Sequence, residues 1–554
     1  MGPESGLSYA DWEINLADDP DAEFILDGIK HGFNIIDPKV KLIPTEMKNN
    51  RSVHDNFDKV QEQIVKEITE GNYVITDKKP IIVSPLGVIL KEGGGVRLIH
   101  DCSRPVGRAV NDYCVATDKQ SFNSVDDAAA LVSPGSYMAK VDLKAAYRSV
   151  AISASSQKAT GLKWITKDGK PIYLYDRKLC FGSRLAPSIF HRLTMAVQRM
   201  MSKRGYSVVA YLDDFFITAL TEQRCREALD TLIALLRGLG FAVNWNKVID
   251  PCQCLIFLGI EIDSVAMCLR LPHDKLVSIR AELNEMAERG RASKRQLQRL
   301  AGRLNWAAGV VAGGRVFLRR IIDAICSMTN KWDRQRLAGP LKEDIKWWQD
   351  CMHLFNGRAC FLQQEFRTVV YTDACLIAGG AYFRGDWAYT MWEADVPAAT
   401  EMSINNKELF AVLLATERWA PAWSNCVVTI RSDNVTTVSS INKGSSRNWR
   451  AMKAIRRLFP LPVIYNFKLK ASHIPGRRNH IADTISRIHE PRQLIHLEAL
   501  LSKGLGDLMC HMSHRSLYLL QEKLGSAMTN CADWMKGWPY YGQRHLHRAR
   551  NKLM

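Results

Sequence analysis

The chain has 554 residues, and 75 Lys and Arg against 57 Asp and Glu give it a formal charge of +18. A chain of this length divides into several domains, each with its own core. Its apolar runs fall short of the roughly 18 residues that would cross a bilayer, and a cationic excess on this scale favours a polyanionic partner. The acidic opening from Glu4 to Glu23 has neither the positive start nor the apolar stretch of a secretory signal, and Gly6 stands where a myristoylation pattern wants Ser or Thr.

Taken in chain order, residues 1–75 read as a helical amino-terminal extension, in which Phe57, Val60, Ile64, Val65 and Ile68 recur at helical spacing. A glycine-rich loop follows, Lys91-Glu92-Gly93-Gly94-Gly95-Val96-Arg97, a weak signal when taken alone. Tyr137 to Val141 is a short apolar strand that ends in Asp142, and Tyr147 lies five residues further on. Val208-Val209-Ala210 and Phe215-Phe216-Ile217 flank Tyr211-Leu212-Asp213-Asp214, so the segment reads as a hairpin with two carboxylates at its tip. Asp is also an ordinary turn residue. Two strands that each end in Asp bring three carboxylates together, however, and such a cluster repels itself unless a divalent ion sits within it. Two ions about 3.5 to 4 Å apart are the known device for in-line phosphoryl displacement.

Residues 273–365 read as helical, with Leu297, Leu300, Leu304, Phe317, Leu318, Ile321 and Ile322 as apolar ridges. Arg295, Arg299, Arg303, Arg319 and Arg320 lie beside them, either a nucleic-acid face or a solvated one. Further on, Val369 to Asp373 and Val427 to Asp433 are apolar strands ending in Asp, and Asn406 to Leu414 is a helix with Glu408 near its start. The loop His473-Ile474-Pro475-Gly476-Arg477-Arg478-Asn479 precedes Ala482-Asp483. Taken singly, each carboxylate is a plausible cap or strand terminator. Residues 491–554 form a basic tail that matches no motif. The fourteen cysteines follow no frame, and several (Cys180, Cys254, Cys375, Cys426) sit in apolar stretches, as expected of reduced, mostly buried thiols. Cys510, His514, Cys531 and His545 do not have the spacing of a standard zinc finger.

The order Asp142 with Tyr147, Leu179-Cys180-Phe181-Gly182, Leu185-Ala186-Pro187-Ser188-Ile189-Phe190, Tyr211-Leu212-Asp213-Asp214 and Phe257-Leu258-Gly259-Ile260 resembles the consecutive motifs of reverse transcriptases. The Lys91 to Arg97 loop is similar to that family's fingers hairpin. Asp373, Glu408, Asp433 and Asp483 resemble the four-carboxylate site of ribonuclease H. The segments His31-Gly32-Phe33, Arg97 to Pro105, Val110-Asn111-Asp112 and Leu300 to Trp306 are similar to DIRS-type elements, which pair such a polymerase with a tyrosine recombinase. The resemblance covers about residues 12 to 490.

It implies an α+β multidomain fold: a right-hand polymerase with fingers and palm over 76–272, a helical thumb and connection over 273–365, and an α/β ribonuclease H-like domain over 366–490. The implied activity is copying of retrotransposon RNA, and of DNA, into DNA, with cleavage of RNA in an RNA:DNA hybrid. Asp142, Asp213 and Asp214 would hold two Mg²⁺ ions in the first site, and Asp373, Glu408, Asp433 and Asp483 two in the second, with Mn²⁺ as the alternative ion. His473 would assist proton transfer or product release, with His480 a competing candidate. Lys91, Arg97, Phe181, Gly182 and Lys247 would contact the substrate, and Tyr147 would lie beneath the incoming sugar. The implied partners are an RNA template, a DNA primer, RNA:DNA hybrid and dNTPs, together with a tyrosine recombinase and a nucleocapsid-like protein of the same element. The place of action is intracellular, in a cytoplasmic particle or the nucleus. Two other function classes are a telomerase-like or group II intron-like polymerase, which would share the palm but not the second set of four carboxylates, and a domesticated nucleic-acid-binding protein.

Overall fold

The computed structural model describes residues 6–524 apart from 92–93, 116–119, 312, 355–357, 361–366, 425, 466 and 503–509, and the chain falls into two units, 1–267 and 268–554. In the first, Phe215, Phe216 and Ile217 are all fully buried, so both faces of their strand are covered. That is why the sequence there runs continuously apolar instead of alternating. The strand, Asp214–Ala219, lies inside a four-stranded antiparallel sheet between Tyr137–Asp142 and Ser207–Tyr211, with Ile249–Cys252 on the far side of Tyr137–Asp142. Helices Ala186–Lys203 and Glu222–Gly238 join the same apolar core through Phe190, Leu193 and Val197 and through Leu229, Leu232 and Leu236. A separate hairpin, Leu86–Leu90 with Val96–His100, carries the glycine-rich tip. The Phe257 motif forms a second hairpin, Cys254–Phe257 with Ile260–Asp263, whose turn has Leu258 at φ 49° and Gly259 at φ 80°.

Residues 1–75 do carry helices, Tyr9–Asn15, Ala22–His31 and Phe57–Thr69 among them, but they are built into the first unit and do not stand apart from it. Trp12 is fully buried, donates its indole N–H to the Leu239 carbonyl at 3.0 Å, and meets Phe241 edge to face. Arg199 holds Asp19 and Asp21, and Arg192 holds Asp21, so the two amino-terminal helices are tied to Ala186–Lys203 by charge as well as by packing. Phe33 exchanges backbone hydrogen bonds with Ala151 and Ser153 at 2.9 and 3.0 Å. Gly32, at φ 83°, passes so close that a Cβ would lie 2.5 Å from the Ile152 carbonyl carbon, and only glycine fits there.

The second unit opens with helices His273–Arg289, Lys294–Ala307, Arg319–Ser327 and Gly339–Leu354. Most of the expected basic face is internally neutralised. Glu282 pairs with both Arg299 (2.7 Å) and Arg303, Arg319 pairs with Asp323 at 2.8 Å, and Arg320 pairs with Glu343 at 2.8 Å and Asp344 at 3.2 Å. Of the five arginines only Arg295 lacks a carboxylate among the described residues; it lies against the Trp332 ring. Asp344, fully buried, also receives Arg456 from helix Trp449–Leu458 at 2.6 and 2.9 Å, which joins the helical part to the sheet domain that follows.

That domain has a mixed sheet in the order Lys468–His473, Val427–Ser432, Arg367–Ala374, Ala378–Phe383, Asp386–Met391 and Cys510–His511. Arg367–Ala374 pairs parallel with Val427–Ser432 and antiparallel with Ala378–Phe383. Helices Ile404–Trp419 and His480–Ser486 pack on the sheet. Part of the segment expected to be a tail joins this domain. Helices Pro491–Ser502 and His514–Leu524 place Leu494, Leu497, Leu520 and Leu524 in one cluster with Trp387, Tyr389 and Ile485, and Cys510–His511 adds a parallel edge strand. Cys531 and His545, of the weak zinc pattern, lie outside the described residues, as do 525–554 generally. Cys254 is exposed, against the expectation of burial, because its strand alternates and leaves Cys254 and Ile256 outward. Among the described residues no helix is long and apolar enough to cross a membrane.

Candidate active sites

The register of the first sheet decides the first site. Asp214 lies directly opposite Asp142, and the hairpin closes between Tyr211 and Asp214 with only Leu212 and Asp213 in the turn. Leu212 sits at φ 49° and so does Ala145, just beyond Asp142. The left-handed region is unfavourable for residues with a Cβ, and surrounding structure must hold it. Part of that hold is the Leu143 N–H, which donates to the Asp213 carbonyl at 2.9 Å and ties the tip to the end of the neighbouring strand.

Asp142 is nearly buried and accepts from the Asn244 amide at 2.9 Å and from Lys247 Nζ at 3.2 Å. Lys140 Nζ lies 2.9 Å from Asp214 Oδ1. Burial pushes the Asp213 and Asp214 carboxyls above their ordinary range, and the mutual proximity of the three acids adds to it. Cationic neighbours balance the cluster in part; the three acids are near enough to raise one another, though their oxygens are not grouped as closely as those of the second unit, and oxygen donors of this kind suit a hard cation.

A row of side chains leads away from these acids. Tyr147 lies near Asp213; burial first and that charge second push its hydroxyl up to about 12. Its ring is 5.1 Å from the Phe181 ring and 5.5 Å from Phe190, and the Arg97 guanidinium lies 4.9 Å over Phe181. Gly182 is at φ 124°, where a Cβ would overlap the His100 carbonyl oxygen at 1.7 Å, so the strand carrying Arg97 presses on the Phe181 loop. Lys91 is exposed at the hairpin tip, its N–H bonded to the Gly95 carbonyl at 2.8 Å.

Beneath that row is a buried polar network that sequence spacing did not reveal. Arg148 holds Asp176 at 2.9 and 2.7 Å, His100 Nε2 lies 3.6 Å from Asp176 and 3.2 Å from the Tyr73 hydroxyl, and Cys180 Sγ is 3.9 Å from Cys102 Sγ. His, Asp and Cys can also serve as metal ligands, but Arg148 already occupies both oxygens of Asp176. Its members come from four separate segments, and no local pattern announces such a set.

In the second unit, Asp373 near the end of its strand, Glu408 in helix Ile404–Trp419 and Asp433 just past Val427–Ser432 bring carboxylate oxygens within 4.8 Å of one another. Burial first, with the neighbouring acids adding to it, raises Asp373 to about 7 and Glu408 to about 9. Glu408 Oε2 is buried and has no hydrogen-bond partner among the described residues. An orphaned oxygen facing two other carboxylates is the signature of a site suited to a cation. Ser486 Oγ donates to Asp373 Oδ2 at 2.6 Å, and the buried Asn479 amide donates to the Thr372 carbonyl at 2.9 Å. Asn479 closes the loop that begins at His473 and Ser486 lies three residues past Asp483, but neither position was expected to have a role. A Cβ at Gly476 would lie 3.1 Å from Asp433 Oδ2, so the loop crosses close over that acid.

Asp483 stands apart from the group of three. It is near enough to raise Asp373, but its carboxylate pairs with Arg487 at 3.0 Å. His473, paired in register with Ser432 at the sheet edge, and His480 are both exposed.

Residues 89–262 match the family model described as reverse transcriptase (RNA-dependent DNA polymerase). The Tf2-3 and Tf2-7 transposon polyproteins of Schizosaccharomyces pombe are 21% and 20% identical over 450 residues, 76% of this chain but only 30% of those polyproteins. A foamy viral protease-reverse transcriptase in complex with RNA/DNA hybrid shares the fold at TM-score 0.51 and 16% identity, over 84% of this chain and 63% of that one. A second structure of that protein, with double-stranded DNA, does so at TM-score 0.51 and 15% identity, over 80% and 74%. Residues 89–262 of the chain are thus similar to the reverse transcriptase family, and the chain spans less than a third of the length of the transposon polyproteins it matches.

Proposed function

We propose that the chain is the reverse transcriptase and ribonuclease H of a retrotransposon of the DIRS type, acting on RNA and DNA templates, primers, dNTPs and RNA:DNA hybrid. The observation that carries the polymerase reading is the pairing of Asp142 with Asp214 beneath a two-residue turn bearing Asp213, with Tyr147, Phe181 and Arg97 aligned beside it. The second activity is supported by the Asp373, Glu408 and Asp433 cluster on a mixed sheet.

Asp142, Asp213 and Asp214 would hold one pair of divalent ions, Mg²⁺ in the simplest case, and Asp373, Glu408, Asp433 and Asp483 another; bound ions supply Lewis acidity and neutralise charge that develops on phosphate. The protein's own part is positional. Asn244 and Lys247 fix Asp142, and Lys140 restrains Asp214. Arg97 and Lys91 attract the triphosphate, with Phe181 as the platform on which Arg97 rests. The Tyr147 ring blocks the space that a ribose 2′-hydroxyl would need, which is discrimination by exclusion. In the second site Ser486 orients Asp373, Glu408 would have to be ionised to hold an ion, and Asp483, paired with Arg487, would be the fourth carboxylate. His473, exposed at the sheet edge beside Ser432, would receive or deliver a proton.

One assay tests both halves. A labelled RNA annealed to a DNA primer is incubated with dNTPs and Mg²⁺, and extension and RNA cleavage are followed together. Loss of both activities in a folded protein that still binds the hybrid would return the reading to a domesticated nucleic-acid-binding protein.

A further inference from the structure

Strands Arg291–Ser293 and Arg334–Arg336 form a two-stranded antiparallel ribbon in the helical part of the second unit, with Arg291 opposite Arg336 and Ala292 opposite Gln335. Successive side chains alternate across a strand. Arg291, Arg334 and Arg336 therefore share one face, and Ala292, 1% exposed, turns to the core on the other. All three arginines are exposed, and among the described residues none has a carboxylate or hydrogen-bond partner for its side chain. Like charges placed directly across a strand pair repel. Arg299, Arg303, Arg319 and Arg320 in the same region are each neutralised by an acid, so the ribbon keeps a repulsion that its neighbours avoid. Asp333, the acid of the loop entering the ribbon, offers no relief, because its carboxylate accepts the backbone N–H groups of Thr329 and Asn330 at 3.0 and 2.7 Å.

The same loop exposes Trp332 by 62%, with the Arg295 guanidinium 5.7 Å and Lys331 Nζ 5.2 Å from its ring centroid. An indole this open, near two cations and two residues from the ribbon's three unpaired arginines, offers a stacking surface within a positive field. We propose that the ribbon and Trp332 form a binding site for single-stranded nucleic acid, with phosphates along Arg291, Arg334 and Arg336 and an unpaired base stacked on Trp332. A duplex keeps its bases stacked on one another and can use the arginines only. A single strand can use both. This site extends the polymerase reading and rests on it only in taking the polyanion for RNA or DNA.

The test measures binding of a fluorescent oligouridine RNA, and of a duplex of equal length, to the full chain across a salt series. Trp332→Ala and the triple variant Arg291→Ala/Arg334→Ala/Arg336→Ala are compared with wild type, with melting temperatures as the folding control. Trp332→Ala should weaken single-strand binding by about five- to a hundredfold and leave duplex binding within about twofold. The triple variant should lower the slope of log K against log salt by about 2 for the single strand. An RNA carrying 5-iodouridine should photocross-link to the peptide containing Trp332. Equal losses for duplex and single strand in Trp332→Ala, or no loss in either variant, would overturn the proposal. Primer extension by the same preparations separates the two readings. Normal extension with unchanged single-strand binding sinks the ribbon alone, whereas absent extension with a Trp332-dependent single-strand complex sinks the polymerase alone.

Discussion

Glu408→Gln should stabilise the metal-free protein above neutral pH, although it removes a carboxylate from the proposed second site. Burial, and then the charges of Asp373 and Asp433, raise Glu408 from 4.5 to about 9. The folded chain thus holds this proton over a pH range in which the unfolded chain has lost it. Stability from this group is complete below about pH 4.5 and falls as pH rises toward about 9, at close to 1.4 kcal/mol per pH unit. At about pH 8 the carboxylate costs on the order of 2 to 5 kcal/mol, which the uncharged amide would not incur.

For a domain of this size that corresponds to a rise in melting temperature of roughly 5 to 15 °C. At about pH 5 the two proteins should differ little. The measurement is thermal unfolding of wild type and variant in EDTA across this range, repeated with excess MgCl₂. Mg²⁺ should restore wild type at high pH more than the variant, since ion binding favours the ionised acid. Parallel pH profiles in EDTA would refute the reasoning, because they would mean that Glu408 ionises at no cost in the fold.

Asp213→Asn keeps the turn but loses a charge, and should abolish extension while leaving RNA cleavage largely intact; extension within about tenfold of wild type, a loss of only about 1.4 kcal/mol, would remove Asp213 from the chemistry. Asp433→Asn should give the converse, and a fall in both activities in a hybrid-binding protein would mean that the two sites are not separate. Tyr147→Ala should raise ribonucleotide insertion relative to deoxyribonucleotide by roughly ten- to a hundredfold; an unchanged ratio in a stable protein would assign the ring to packing against Phe181 and Phe190 alone. Asp344→Asn leaves Arg456 without its bidentate partner and should cost about 2 to 4 kcal/mol, or roughly 5 to 15 °C in the melting of the second unit. A change below about 2 °C would show that water compensates both guanidinium groups.

What could be read from sequence was what depends on near neighbours. The Tyr211 to Asp214 hairpin, the strand ending in Asp142 and the strand ending near Asp373 follow from residue type over a few positions, and the structure forms all three. The helix from Phe57 was legible for the same reason, although Val65 proves 50% exposed because the buried stripe runs through Val60 and Ile64. What depends on distant partners was not legible. Helical periodicity places Arg299 and Arg303 on a face, but only the fold shows that Glu282 lies under that face. The network of His100, Asp176 and Arg148 joins residues with no mutual spacing, and the apolar residues of Pro491–Ser502 lay in a segment whose basic composition suggested a tail. In the candidate sites the carboxylates were readable by type, while their hydrogen-bond partners, Asn244 for Asp142 and Ser486 for Asp373, come from distant segments that only the fold brings near.

The attachment of Trp12 to Leu239 and Phe241 has a consequence for biosynthesis. More than two hundred residues separate the two ends of that contact, and at about 5 to 20 residues per second the ribosome takes roughly 10 to 50 s to supply the second after the first. Throughout that interval the core that Trp12 and Ile25 enter is incomplete, and the indole of Trp12 lacks its partners Leu239 and Phe241. Yield of folded protein should therefore depend on whatever shields residues 9–31 during synthesis as well as on the stability of the finished molecule.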